Sequence, residues 1–377
     1  MNEERKRILK MVEEGKLTVN EALFLLEQLE KNDKTMEVKQ EELMTELSAV
    51  VEPDEGQKTR SKKEESNTNS FQSVKDTVFD FVDMAFKKIK NLDLDLNFGQ
   101  SVDISHIFQH SDTYLDQIDI DLANGSVRMI PWDKKDVRIE CNAKVYRVET
   151  QEEARRKLLE DAIFAIEGQK MRFAVQQKWM KVAADIYIPR EDYDTIRIRL
   201  FNGGIEGSEL TVKDFKAKTA NGKIILEGLD CRKLEAETAN GHLKIRRSMI
   251  NDLEAETING AITAEGSFRH ADLQSFNGQI GCMVENEDCE SVEVKSATGG
   301  IDISIPSAIA PTGTLKSNLG NFRLEIEGVH VIEEKSEMVQ KSLSFRPDAE
   351  SLEPLRIYAE TKTGAIVLKK NRGAEVR

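Results

Sequence analysis

Three stretches decide the fold: residues 215–226 read FKAKTANGKIIL, residues 234–245 read LEAETANGHLKI and residues 253–264 read LEAETINGAITA. Each carries an Asn-Gly pair at the same point, and the pair recurs at Asn124-Gly125, Asn202-Gly203, Asn221-Gly222, Asn240-Gly241, Asn259-Gly260 and Asn277-Gly278. From Asn202 onward the pairs stand 19, 19, 19 and 18 residues apart. The register continues in altered form through Thr298-Gly299, Leu319-Gly320 and Thr363-Gly364, and the last interval, 44 residues, reads as about two further coils. A fixed period of this length marks a repeat architecture, in which each unit buries its apolar face only against its neighbours.

Around each pair the residues alternate with period two, as a strand with one buried face requires. Counting from the Asn, positions −4 and −2 are small or apolar (Ala217 and Thr219, Ala236 and Thr238, Ala255 and Thr257), while +3 and +5 are larger and apolar (Ile224 and Leu226, Leu243 and Ile245, Ile262 and Ala264). Each coil therefore offers two inward-facing strands that meet at a corner. Glycine at that corner is expected to supply a positive φ, and the Asn amide to bond neighbouring backbone. Asn-Gly is also a favoured hairpin turn, so an antiparallel meander is the structural rival. The constant interval favours stacking, with the Asn side chains in a ladder of roughly 4.8 Å steps. The expected fold is mainly β: a β-solenoid of roughly 19–21-residue coils over residues 92–370, wound right-handed by the crossover rule. An irregular helical insertion packing on the first coils is expected at about 146–194, where Thr150 and Glu153 form a capping box and, after the helix, Met171 to Val175 and Val182 to Ile188 read as strands.

The chain ahead of the array has three parts. In residues 1–31, Ile8, Leu9, Met11 and Val12, then Ala22, Leu23, Leu25, Leu26 and Leu29, recur at helical spacing on either side of Gly15. A helical hairpin follows, and its stripe of Leu25, Leu26 and Leu29 is too apolar for so small a unit, which points to self-association or a protein partner. Residues 32–70 are rich in Glu, Lys, Ser and Asn, as a flexible charged linker is. Residues 71–91 place Phe71, Val78, Phe81 and Val82 on one side of a helix, widened by Phe79 and Phe86. That amphipathic helix is expected to cap the array, with a membrane surface as the competing docking site.

The formal charge of −14 argues against nucleic acid as a generic partner. No run approaches the roughly 18 apolar residues that span a bilayer, and the N-terminus lacks the apolar core of a signal peptide, so the cytoplasm is the expected address. Cys141, Cys231, Cys282 and Cys289 show no CxxC spacing, which argues against a zinc site or a disulfide framework. No cofactor, metal or catalytic constellation is expected. A carbohydrate-active enzyme on a β-helix is the enzymatic alternative, and it needs paired carboxylates. Glu235, Glu237, Glu254 and Glu256 recur instead as solvent-facing strand charges, and His106, His110, His242, His270 and His330 are dispersed.

Residues Ile186-Tyr187-Ile188-Pro189 and Tyr193-Asp194-Thr195-Ile196, followed by repeated Asn-Gly, resemble the family labelled domain of unknown function 4097, also called "putative adhesin". The similarity covers about residues 118–368. The opening residues 8–22 are similar to a short helical module found ahead of that domain in Gram-positive bacteria. The resemblance implies a non-enzymatic scaffold or sensor in the cell-envelope stress response, which can also be met at the cell surface. It carries no catalytic residues.

Overall fold

The computed structural model describes residues 100–336, 340–348 and 354–371. The expected hairpin with Leu25, Leu26 and Leu29, the linker, and the helix bearing Phe71, Val78, Phe79, Phe81, Val82 and Phe86 lie outside those residues.

The described chain is mainly β. Its first part runs β1 (Ser101–His110), β2 (Gln117–Trp132), β3 (Val137–Tyr146), helix α1 (Gln151–Asp161), β4 (Ala162–Glu167), β5 (Lys170–Val175), β6 (Met180–Pro189), β7 (Asp192–Asn202) and β8 (Ile205–Ser208). The middle part holds β9 (Thr211–Asn221), β10 (Ile224–Glu227), β11 (Asp230–Asn240), β12 (Leu243–Asn259), β13 (Ile262–Asn277), β14 (Ile280–Val284), β15 (Ser291–Ser296) and β16 (Ile301–Ile305). The last part holds β17 (Thr312–Ser317), β18 (Phe322–Glu325), β19 (Val329–Ser336), β20 (Lys341–Pro347), β21 (Arg356–Thr361) and β22 (Ile366–Lys370).

Each coil gives one strand that leads into the Asn-Gly corner and one that trails from it. The leading strands pair in parallel in the spatial order β5, β2, β7, β9, β11, β12, β13, β15, β21, β17. The trailing strands pair in parallel as β6, β2, β8, β10, β12, β13, β14, β16, β22, β18. Parallel, in-register coils of this kind stack as in a β-solenoid and are incompatible with a meander of hairpins. Between the two ladders lies one continuous core. Ile205, Ile224, Leu243, Ile262, Ile280 and Ile301 form a buried column on the trailing side. Opposite them the leading strands bring in small residues, Ala217, Ala236 and Ala255, so bulky and small rows interlock.

Two expectations need correction. The stretch 146–194 holds the expected helix, α1, and the expected strands, β5 and β6, but these strands are regular, forming a further parallel coil laid outside β2. The final coil, β21 with β22, does not extend the array by two steps, because it sits between the β15/β16 coil and the β17/β18 coil. Chain order and stacking order thus differ at both ends. The first coil, β2, and the last, β21/β22, are each covered by a coil drawn from an internal stretch of chain.

Beyond those outer coils the pairing turns antiparallel. At the N-terminal end β3 pairs with β6, β1 with β3, and β4 with β5. Helix α1 is capped by Thr150, whose Oγ1 accepts the Glu153 N–H at 3.2 Å. It buries Ala154 and Leu158 in the core. At the other end β20 and β19 extend the leading ladder, while the trailing ladder stops at the four-residue β18.

Candidate functional site

The corner column is the most regular part of the molecule. Asn202 donates to Asn124, Asn221 to Asn202, Asn240 to Asn221, Asn259 to Asn240 and Asn277 to Asn259, all side chain to side chain at 2.7–2.9 Å. Thr298 closes one end of the ladder through Asn277 Oδ1 at 3.0 Å, and at the other Asn124 donates to the Lys178 carbonyl at 2.8 Å. Parallel in-register stacking brings identical amides to one spacing, so each can donate up and accept from below.

The expected reason for the glycines is only partly right. Gly125 and Gly203 have φ of 142° and 134°, in the region that favours glycine, whereas Gly222, Gly241, Gly260 and Gly278 do not. Those four are glycine because of close approach: a Cβ on Gly222, Gly241, Gly260 or Gly278 would lie 1.8–2.0 Å from the carbonyl oxygen of the glycine one coil before. That same carbonyl is bonded by the hydroxyl at −2. Thr219 donates to Gly203 O, Thr238 to Gly222 O, Thr257 to Gly241 O and Ser275 to Gly260 O, at 2.9–3.0 Å. The sequence reading took position −2 as merely small. A hydroxyl in each coil from Thr219 onward, through Ser296, Ser317 and Thr361, was the signal available for this second ladder; the coils of Asn124 and Asn202 carry Leu122 and Leu200 there instead.

Outward from the leading ladder, positions −5 and −3 form two charged columns. In stacking order they read Asp119 and Asp121, Arg197 and Arg199, Lys216 and Lys218, Glu235 and Glu237, Glu254 and Glu256, then Asp272 and Gln274. Basic coils are thus held between acidic ones. Arg199 Nε lies 2.6 Å from Asp121, whose side chain is 1% exposed. Lys218 Nζ lies 2.8 Å from Glu237 and 3.4 Å from Glu235, and its side chain is 6% exposed. Stacking at strand spacing desolvates these charges and lets opposite coils neutralise one another.

The acidic block is the electrostatically tense part. Burial, then the hydrogen bond with Glu235, pushes Glu237 up to about 7 against the pull of Lys218. Burial acts on Glu235 in the same sense, but its bonds to Glu237 and Lys216 and the two lysine charges hold it down to about 2. The pair therefore titrates as a unit in two well-separated steps. Below it a shallow groove is lined by Asp252, Glu254, Asp272, Glu293, Lys233, His270 and Ser291. His270 bonds Ser291 Oγ at 3.0 Å.

Other side chains singled out in the sequence are not brought together. His110 bonds Thr113 at 2.5 Å, His330 contacts Asp348 at 2.9 Å, and His106 is lowered by burial and by the Arg155 charge. Among the described residues no group of three His, Cys, Asp or Glu side chains is placed to hold a metal ion. All four cysteines are free and buried, and burial pushes each thiol up to about 12. No described helix is long and apolar enough to cross a membrane.

A stack of parallel coils with a glycine corner and a polar outer face defines, over the described residues, a repeat-built β protein. Residues 115–344 match the family model described as Toastrack DUF4097, and the chain belongs to that family. Residues 3–34 match a second model, the SHOCT-like domain. The chain is 45% identical over 369 residues to "Uncharacterized protein YvlB" of Bacillus subtilis (strain 168), covering 98% of this chain and 99% of that one. Among solved structures, a "putative adhesin" from Bacteroides fragilis is 13% identical, with 70% of this chain and 97% of that chain covered and a TM-score of 0.38. A "putative cell adhesion protein" from Clostridium sporogenes is 10% identical, covering 72% and 100%, with a TM-score of 0.25.

Proposed function

We propose that the chain is a non-enzymatic scaffold or sensor of the cell-envelope stress response, whose array presents a long polar face to an envelope component. The observation that carries this reading is the pair of charged columns. From Asp119 to Gln274 they run in line along the stack, coil after coil, instead of converging on one point. A convergent cleft is the usual seat of catalysis, and a linear face is the usual seat of extended contact. The 1–31 module, with Leu25, Leu26 and Leu29, then recruits a second copy or a regulator, and residues 32–70 supply reach.

Co-sedimentation of the full chain with isolated Bacillus subtilis envelopes tests the reading. The expected result is salt-sensitive binding that Glu254→Lys with Glu256→Lys weakens at least about tenfold, because reversed charges disrupt a complementary face. Binding unaffected by the reversal would remove the face from the function, and release of soluble sugar would favour the carbohydrate-active alternative.

A second reading has its own observation. The core columns end at the N-terminal side beneath α1, with Ala154 and Leu158 buried there. That end therefore has less need of the 71–91 segment as a cap, which favours a membrane surface as the site for Phe71, Val78, Phe79, Phe81, Val82 and Phe86. Flotation with anionic lipid vesicles should carry the full chain upward, and Phe79→Asp with Phe86→Asp should abolish it.

A further inference from the structure

The two charged columns on the leading ladder extend one coil further at each end, to Arg172 and Ala174 on β5 and to Glu293 and Lys295 on β15. Over those eight strands one half is basic and the other acidic. The first four, β5, β2, β7 and β9, carry five basic and two acidic side chains in the columns, and the last four, β11, β12, β13 and β15, carry six acidic and one basic. Where the halves meet, Lys216 pairs with Glu235 and Lys218 with Glu237, each at 2.8 Å, so charge at the junction is neutralised within the chain. Away from the junction it stays in contact with solvent: Arg172 and Arg197 are exposed, and the side chains of Glu254 and Glu293 are 42% and 44% exposed.

Like charges stacked at strand spacing repel one another, so each half is stabilised by opposite charge laid over it. A purely acidic or purely basic partner is attracted by one half and repelled by the other. A second copy of the chain matches both. We infer that two copies associate face to face through the leading ladder, related by a two-fold axis that runs parallel to the strands between β9 and β11.

Rotation about a strand direction reverses the order of coils and leaves position along the strand unchanged. Position −5 therefore lies over position −5, with Arg197 facing Glu254 of the second copy and Arg172 facing Glu293 of the second copy. At position −3, Arg199 faces Glu256 of the second copy. Each contact occurs twice, as an isologous interface requires. Glu254 and Glu293 border the shallow groove described above, about 370 Å³ in volume, where Asp252 and Asp272 add acceptors for a planar guanidinium. One juxtaposition is unfavourable, Asp119 over Asp272 of the second copy. Asp119 already has Lys170 and Arg199 at 3.8 and 3.9 Å, and burial raises Asp272 toward its neutral form. Eight strands at about 4.8 Å and roughly seven residues at about 3.3 Å give a face of roughly 900 Å² on each copy, close to the ~800 Å² per partner of a standard interface. An interface this polar is weakened by salt. The face then meets a second copy or an envelope component, and not both at once.

Sedimentation velocity of the purified full-length protein involves no envelope component, so it tests the dimer separately from the proposed function. The expected result is twice the chain mass at about 0.05 M salt and the single-chain mass at about 0.5 M salt. A mass that is the same at both, whether of one chain or of two, overturns the inference; a salt-resistant dimer would assign association to another part of the chain. Charge exchange reads the pairing itself. Arg172→Glu with Arg197→Glu in one protein, and Glu254→Lys with Glu293→Lys in another, should each lower self-association at least about tenfold, and an equimolar mixture should restore a dimer with one chain of each. Recovery on mixing cannot come from misfolded chains. Loss in both variants without recovery, or capture of each variant by itself as strongly as by the other, also overturns the inference.

Discussion

The two ends of the array use the same device with different thoroughness. Each places a coil from an internal stretch outside the true terminal coil, then adds antiparallel strands. At the N-terminal end helix α1 also lies over the core, and Leu158 and Ala154 are buried. At the C-terminal end nothing described covers the trailing ladder beyond β18, where Phe322 and Leu324 are only partly buried, and Val331 and Ile332 on β19 are 46% and 55% exposed. Stacking alone can continue indefinitely, so what an end needs is a change of geometry, and only one end has it in full. The exposed edge at β19 is instead guarded by a register shift between Val331 and Glu333 and by the charges of Glu333, Glu334 and Lys335.

The array interior is the reference against which both ends are measured, and it should be the least tolerant. Gly241→Val puts a side chain within 1.9 Å of the Gly222 carbonyl, and we expect a loss of more than about 3 kcal/mol in urea unfolding. Gly281→Val meets no atom within 4 Å and should stay within about 0.5 kcal/mol. Similar losses at both positions would mean that close stacking is not what demands glycine at the corner.

Next in size is the contrast between the ends themselves. Leu158→Ala at the closed end should cost about 2–5 kcal/mol, the range for a buried leucine. Leu324→Ala at the open end should cost less, roughly 1–2 kcal/mol, because that side chain packs against the core without being fully buried. Equal costs would show that something covers β18 in solution. Asn240→Ala removes two ladder bonds, to Asn221 and from Asn259, and should cost about 1–2 kcal/mol by thermal unfolding.

The smallest effect is electrostatic and confined to the middle of the face. Glu237 is raised to about 7, so between the ordinary carboxylate range and that value the folded protein holds a proton that the unfolded chain has released. Stability must therefore fall as pH rises through that window. Glu235, held to about 2, has the opposite sign: its contribution is present above the ordinary range and is lost as pH falls toward 2. Glu237→Gln should accordingly melt higher than the parent at pH 8 and close to it at pH 5. A parent protein whose melting is flat between those values would show that Lys218 dominates the site.

What could be read from the sequence was the coil and not the order of coils. The Asn-Gly period fixes length and register within a coil because every residue there answers to its own neighbours. Nothing in that period says which coil lies on which. The 44-residue interval before Thr363 looked like two steps along the stack, yet Gly364 lies between Gly299 and Gly320. Likewise Met171 to Val175 and Val182 to Ile188 read as strands, but their place outside β2 depends on pairing across 50 residues or more. The candidate face was half legible. Glu235, Glu237, Glu254 and Glu256 were read as outward charges, but the pairing of buried Asp121 with half-buried Arg199 emerges only when β2 and β7 are set side by side.

The intercalated last coil bears on how the protein is made. An array built in strict chain order could consolidate coil by coil as it leaves the ribosome, and a product stopped early would simply be shorter. Here β21 and β22 must enter between β15/β16 and β17/β18, so the final strands are synthesised after both of their neighbours. A message truncated after β18 but before residue 356 leaves a coil-wide gap lined by Val292, Val294, Ile301 and Leu315, which the complete fold buries. Apolar surface on that scale is what chaperones and proteases recognise, so the topology makes completeness of translation a condition for escaping degradation.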